Sequence, residues 1–311
     1  MKRVLSFAVL ILIHGPLLAL SHAAESPVPI SDPSAAMADR FVSSAAVQPP
    51  RTAAGFLPDS EVLLPVVINA SGLNGTFFKT DGFFANVRNA NQEVLLRFVT
   101  QGVSGASQIP LRLSINALTN VAAVDLLGPE SGDLARTGVF ALLITAVLPG
   151  TNTVDPNGKL LAMFRIWTPQ PGSAGTASFG AWGPPSDNIH GFNGAIALGL
   201  RQNAAFRTNV GLVNLDPVNT RTWTVTILTG GTPTSFAIAL APLSMQLVAV
   251  PALITPSQKE GYISVLFVPS AAPATDFRWS AFGVSADNIT GDSWLNLATQ
   301  SATLPVNISN D

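Results

Sequence analysis

The sequence predicts an all-β protein: two tandem antiparallel β-sandwiches, each the size of an immunoglobulin domain, behind a signal peptide and a linker rich in proline and alanine. Three observations carry that reading. From residue 62 onward, apolar runs of strand length alternate with clusters of Gly, Pro, Asn and Asp, the punctuation of short strands joined by turns. A set of landmarks also comes round twice: Trp182-Gly183, Asp187-Asn188-Ile189 and Gly191 return as Phe282-Gly283, Asp287-Asn288-Ile289 and Gly291. A fixed order at a fixed spacing marks an internal repeat. Finally, the 311 residues are 47% hydrophobic and only 11% charged, enough apolar surface to close two cores with no excess charge to hold the chain open.

Residues 1–24 read as a signal peptide. Lys2-Arg3 precede an apolar run over 4–20, and Ser21-His22-Ala23-Ala24 place small residues at the cut. Gly15-Pro16 interrupt the run, leaving it too short for the ~30 Å hydrocarbon core of a bilayer. Cleavage is therefore expected, with no membrane insertion afterwards. Residues 25–60, with Ser26-Pro27-Val28-Pro29 and Gln48-Pro49-Pro50, keep neither a strand nor a helix period and read as an extended linker. The chain has no cysteine, so its stability must come from packing rather than disulfides. Export without disulfides points to a bacterial protein that is secreted or periplasmic. Net charge is −2, and Lys79, Arg88, Arg97, Arg112, Arg207 and Arg221 are scattered singly, which excludes nucleic acid and anionic lipid as expected partners.

The first sandwich is expected over 61–192. Its strands fall at 62–68, 77–86, 94–99, 121–127 and 138–144, with Asn74-Gly75 as a turn after the first. The second, over 193–311, begins at 195–200 and follows the first strand by strand. Phe78 through Asn86 corresponds to Phe206 through Asn214, 128 residues later. In that later copy Phe206, Thr208, Val210 and Leu212 share one face of the pleat. Residues 223–228 alternate cleanly, placing Trp223, Val225 and Ile227 inward. Ala117-Leu118-Thr119 corresponds to Pro242-Leu243-Ser244, and Gly138 to Gly261. The offset is 123 at Gly138/Gly261 but 100 at Trp182/Phe282, so an insertion is expected near 145–172. It carries the turn Asp155-Pro156-Asn157-Gly158 and a strand over 159–167, and reads as an added strand or hairpin. About seven strands per copy fit a sandwich.

Little in the sequence supports catalysis. After removal of the signal, His190 is the sole histidine, the second copy has Thr290 in its place, and no nucleophile elbow accompanies it. One imidazole without thiolates does not build a zinc site. The repeated Asp-Asn loop offers a weak Ca²⁺ candidate in Asp287, Asn288 and Asp292. The competing reading is that these side chains cap their own turn. Among five tryptophans, Trp223 and Trp182 read as core, whereas Trp167 and Trp294 are freer and stand as ligand candidates for stacking on sugar rings. The carboxylates, Asp81 and Asp125 among them, are dispersed, and their spacing singles out no hydrolytic pair.

The run Phe206-Arg207-Thr208-Asn209-Val210-Gly211-Leu212-Val213-Asn214, with Asp287-Asn288-Ile289-Thr290-Gly291-Asp292 further on, resembles a repeat of secreted bacterial β-sandwich proteins. The resemblance spans about 62–297 and implies tandem immunoglobulin-like domains and export. It brings no activity, ligand or catalytic residue with it. The first copy departs from the pattern at Lys79-Thr80-Asp81 and at His190-Gly191-Phe192. The functional expectation is a non-catalytic structural or adhesive binding module that meets a protein or glycan at the cell exterior. A carbohydrate-binding protein is the alternative, and a hydrolase using carboxylates is less favoured.

Overall fold

The computed structural model describes residues 60–72, 75–170, 174–183, 194–229, 231–250, 261–270 and 278–300. The expected signal peptide, all but the last residue of the linker, the 192/193 boundary and the first Asp-Asn loop with His190 lie outside the described residues. Within them the chain is all-β apart from one short 3₁₀ segment, Pro129–Leu134, and no helix is long and apolar enough to cross a membrane. The first eight strands are β1 (Glu61–Ser71), β2 (Phe77–Asn86), β3 (Gln92–Gln101), β4 (Leu111–Ile115), β5 (Asn120–Ala123), β6 (Gly138–Val147), β7 (Leu160–Pro169) and β8 (Thr176–Gly183). There follow β9 (Ala195–Arg201), β10 (Phe206–Asn214), β11 (Arg221–Leu228), β12 (Thr234–Leu240), β13 (Ser244–Ala249), β14 (Tyr262–Pro269), β15 (Trp279–Asp287), β16 (Ser293–Leu297) and β17 (Thr299–Gln300).

These strands make two sheets. The larger has 12 strands along the path β16-β15-β10-β13-β3-β6-β1-β2-β7-β8, with β4 beside β3 and β5 beside β2. Its ends, β16 and β8, come to lie against each other, so the sheet nearly closes like a barrel. The smaller has five strands in the order β12-β11-β14-β9-β17.

The pairing of β1–β8 recurs in β9–β16. β3 sits between β4 and β6, and β6 continues to β1; β11 sits between β12 and β14, and β14 continues to β9. β2 sits between β5 and β7, and β7 continues to β8; β10 sits between β13 and β15, and β15 continues to β16. Even the irregularities match. Pro65-Val66 bulge opposite Ala141 between the pairs Leu64↔Leu142 and Val67↔Phe140. Leu198-Gly199 do the same opposite Ser264 between Ala197↔Val265 and Leu200↔Ile263.

This recurrence corrects two expectations. Among the described residues the first half has eight strands and the second nine, β17 being the extra one, where about seven per copy were expected; and the expected insertion near 145–172 is not an addition, because β7 holds the place of β15. The aromatic-Gly landmarks misled the alignment. Trp182-Gly183 close β8, whereas Phe282-Gly283 lie inside β15; across the ladders Met163 faces Trp182, and Phe282 faces Leu297. The similar residue order thus falls at places that pairing does not equate.

Two buried clusters hold the fold. One gathers Trp223, Val225 and Ile227 of β11, Val265 and Phe267 of β14, Val210 and Leu212 of β10, and Trp279 and Ala281 of β15. The Trp223 and Trp279 rings lie 5.9 Å apart, so Trp223 is core as expected. The other gathers β1, β3, β6 and β7, and also takes Val213, Leu215, Met245 and Phe282 from the later half. Neighbouring residues of β10 and β15 thus feed different clusters, as strands buried on both faces do. The expectation that each half closes its own interior unaided gives way here. A parallel pairing of β13 with β3, Ser244↔Thr100 and Met245↔Gln101, adds a backbone link between the halves.

Phe282 is the side chain on which this sharing can be tested. Its ring covers Gly211 so closely that a methyl group there would overlap it. Phe282→Ala should cost about 3–5 kcal/mol through the cavity it leaves, and Gly211→Ala about 1–3 kcal/mol through overpacking. Urea unfolding should show one transition moved as a whole. A biphasic curve in which only the later half is weakened would mean that the clusters are independent.

Candidate functional site

The polar groups that both halves bury are structural struts. Asn86 ends β2, and its side-chain nitrogen is shared by the carbonyls of Ala90, Ile115 and Asn116 at 2.8, 3.2 and 3.0 Å. Asn214 ends β10 and does the same with Asn219, Leu240 and Ala241 at 3.1, 3.1 and 2.9 Å. Each side-chain oxygen accepts the amide two residues on, from Arg88 and from Asp216, at 3.0 Å. Nearby, Leu118 and Leu243 share a left-handed backbone, φ 53° and 46°, and their amides donate to the carbonyls of Arg88 and Asp216. Thr80 and Thr208, both fully buried, donate to the carbonyls of Ile68 within β1 and Arg201 at the end of β9.

Asp216 extends the second strut. It is buried, and its carboxylate accepts the amides of Val218 and Asn219, each at 2.8 Å, and Arg221 Nε at 2.8 Å. Burial alone would raise its pKa, but the Val218 and Asn219 amides, with Arg221 and the Asn219 side chain, outweigh burial and hold the carboxyl down at about 2. The folded pKa lies below the unfolded value of 3.8. The stabilisation is therefore present above about pH 4 and is lost as pH falls toward 2. Asp216→Asn should lower stability by about 2 kcal/mol at pH 7, and the gap to wild type should shrink as pH falls from about 4 to about 2. Chemical denaturation across that range reads it, and a gap independent of pH would refute it.

A second constellation exists in the first half only. β2 and β7 set Lys79 opposite Trp167 and Asp81 opposite Arg165. Trp167 Nε1 donates to Asp81 Oδ1 at 3.0 Å, and the amide of Asp125 donates to the same oxygen at 2.9 Å. Lys79 Nζ bonds Asp125 Oδ2 at 2.5 Å and stands 5.6 Å from the centre of the Trp167 ring. Asp125 has a left-handed backbone, φ 52°, and its Oδ1 is buried without a hydrogen-bond partner. Arg165 lies 3.9 Å from Asp81. At the corresponding places of the second half stand Arg207 for Lys79 and Asn209 for Asp81. Sequence reasoning named Trp167 but missed Asp81, Asp125, Lys79 and Arg165 as its companions. The only signal that could have found them is cross-strand register, which a linear reading does not contain.

Trp294, the other aromatic candidate, is half-buried on β16. Its Nε1 donates to the carbonyl of Gly199 at 3.2 Å, and its ring meets Phe206 edge-on at 5.6 Å. Asn296 reaches the neighbouring carbonyl of Leu198, so together they clip β16 onto the bulge of β9.

The loop after β15 is knitted to itself. Asp287 Oδ1 accepts the amides of Ile289 and Thr290 at 2.7 and 2.9 Å. These two bonds, that of Thr290 foremost, hold its carboxyl below the usual carboxylate range. Asn288 accepts from Arg207 at 2.9 Å and donates to the carbonyl of Ala204 at 2.9 Å. The Asp292 amide meets Thr290 Oγ1 at 3.2 Å. Gly291 rests against Ala177 and Thr168 of β8 and β7, one residue along from Trp167. Among the described residues no group of three or more His, Asp or Glu side chains is placed to hold a metal. Millimolar Ca²⁺ and EDTA should both leave the melting temperature unchanged within about 1 °C, since a cation that bound the folded loop would have to raise it. A calcium-dependent rise abolished by Asp287→Ala would restore the cation site.

No family model, no curated protein and no solved structure matches this chain.

Proposed function

We propose that the chain is an exported, non-catalytic structural or adhesive binding module of a bacterium. In this reading two tandem sandwiches of immunoglobulin-like type, descended from one duplicated segment, follow a cleaved signal peptide and a linker, and the module meets a protein or glycan at the cell exterior. The observation that supports it most is the duplication of the buried polar struts, Asn86 with Asn214 and Thr80 with Thr208. Both halves commit their interior polar chemistry to tying layers together, an arrangement suited to bearing load and presenting loops. Asp216, the carboxylate with the most donors, serves a turn, and so does Asp287.

One feature favours the carbohydrate alternative. The half-buried Trp167 ring stands among the charged groups of Lys79, Arg165, Asp81 and Asp125. Sugar recognition combines an aromatic face with polar groups that fix hydroxyls. A glycan array with the mature protein, Trp167→Ala and Asp125→Asn decides between the two. The adhesive reading expects no glycan class whose binding depends on either residue. Binding to one class that falls at least about tenfold in both variants, a loss of about 1.4 kcal/mol, would overturn it in favour of the sugar site.

A further inference from the structure

Among the described residues, Arg201 at the end of β9 is the arginine whose guanidinium has neither a hydrogen bond nor an ion pair. Arg88, Arg112, Arg221 and Arg278 meet carboxylates, and Arg165 lies near Asp81 and bonds Thr176. Arg97 and Arg136 donate to backbone carbonyls, and Arg207 donates to Asn288. The Arg201 guanidinium lies instead 4.0 Å from the centre of the Phe206 ring and 5.2 Å from that of Tyr262. Its Nε is buried there without an acceptor, a situation that folded proteins rarely leave standing. The side chain as a whole is half-buried, and Nε is its one nitrogen that is both buried and unbonded. The two terminal nitrogens therefore face solvent with their donors unused.

The rings around Arg201 are themselves held. Asn203 accepts the Phe206 amide at 2.9 Å, and Trp294 meets the Phe206 ring edge-on at 5.6 Å while donating to the carbonyl of Gly199. Tyr262 faces Arg201 directly across the β9–β14 ladder and is 69% exposed, so its ring is open to a ligand. The arrangement of strands requires none of this. The corresponding ladder pair of the first half is Ile68↔Val139, with Thr80 bonding the Ile68 carbonyl where Thr208 bonds that of Arg201. Ile68 and Val139 pack against the first cluster. At one station of the fold the first half places two aliphatic side chains and the second a cation and a phenol.

We propose that Arg201 and Tyr262 form a subsite for the carboxylate of an acidic sugar. A guanidinium is planar and weakly hydrated, stacks on aromatic rings, and presents paired N–H groups that match the two oxygens of a carboxylate. Arg201 is already stacked on its rings, so less side-chain freedom is lost when a ligand arrives. The unpaired cation selects an anion, and the exposed Tyr262 ring selects what that anion is attached to. A uronic acid supplies both parts, a carboxylate and a sugar ring whose C–H face packs on an aromatic. An aspartate or glutamate side chain brings the carboxylate without the face and leaves Tyr262 unused. From the function proposed above the subsite takes only its setting, a glycan at the cell exterior.

Calorimetry with oligogalacturonate and oligomannuronate tests this. The wild type should bind at least one of them, and its methyl ester, which keeps every ring but removes the charge, should bind at least about tenfold more weakly. Arg201→Gln and Arg201→Lys should each lose at least about tenfold, the lysine because a point charge does not replace the fork. Tyr262→Ala should weaken binding as well. Arg97→Gln removes one positive charge from another place and should bind as the wild type does. Arg201→Ile combined with Tyr262→Val, the pair that the first half uses, should abolish binding with the melting temperature unchanged or raised, which ties the loss to the subsite rather than to unfolding. A wild type that binds neither oligomer at millimolar concentration overturns the proposal. So does equal binding of the ester, or equal binding by Arg201→Gln. Oligoglutamate bound as tightly and without regard to Tyr262 would overturn it in favour of an acidic peptide. The two functional readings fail separately, since the glycan array turns on Trp167 and Asp125 and this binding on Arg201.

Discussion

The buried carboxamide at the end of β2, and its twin at the end of β10, is the interaction on which the layered arrangement depends. A strand that leaves one sheet to enter another abandons its ladder partners, and the carbonyls at the crossover then face a dry interior where an unpaired polar group costs about 1–3 kcal/mol. Asn86 meets that need with one side chain, drawing together the end of β2, the turn after it and the last residue of β4. Asn214 repeats the solution for β10 and β12. Because β10 belongs to the larger sheet and β12 to the smaller, Asn214 also fixes how the two sheets meet at one end. Leu118 and Leu243 accept a left-handed backbone nearby, a strain tolerated where the surroundings over-determine it.

From this constraint follows the division of labour along the strands. With the crossovers satisfied internally, β10 and β15 can be buried on both sides, and their alternation sorts residues between two interiors. Val210, Leu212, Trp279 and Ala281 enter one, while Val213 and Phe282 enter the other. Glycine at 211 is what lets Phe282 lie flat across β10. A strand that serves two cores makes neither of them private, so stability is a property of the joined halves rather than a sum over modules.

How much of this was legible depended on whether the signal was periodic or relational. Strand positions were readable, because period-two alternation in 223–228 reports burial directly, and the offset of 128 that equates Asn86 with Asn214 and Thr80 with Thr208 survives in the hydrogen bonds. Leu118 with Leu243 was readable for the same reason. The place of β7 was not. Its counterpart β15 shares pairing partners with it but almost no side chains, Met163 standing where the other has Phe282, while the eye-catching Trp182 and Phe282 motifs lie on strands that do not correspond. The candidate site failed in the same way. Trp167 is visible in the sequence, but Asp81 stands 86 residues before it, and only the β2–β7 register brings the two within 3.0 Å.

The two halves then separate structure from function more sharply than either could alone. What recurs in both, the asparagine struts, the threonine hydroxyls and the bulge at Pro65-Val66 and Leu198-Gly199, is what any chain in this arrangement must have. What occurs in one half only is under no such obligation. The fold does not require Lys79 and Asp81 beside Trp167, since Arg207 and Asn209 stand at the matching places of β10. Nor does it require an uncharged β12, since β4 carries Arg112 at the same station. The unshared features lie on one half's β2 and β7 and on the other's β12. The first half thus carries a polar aromatic patch that the arrangement shared by the two halves does not call for.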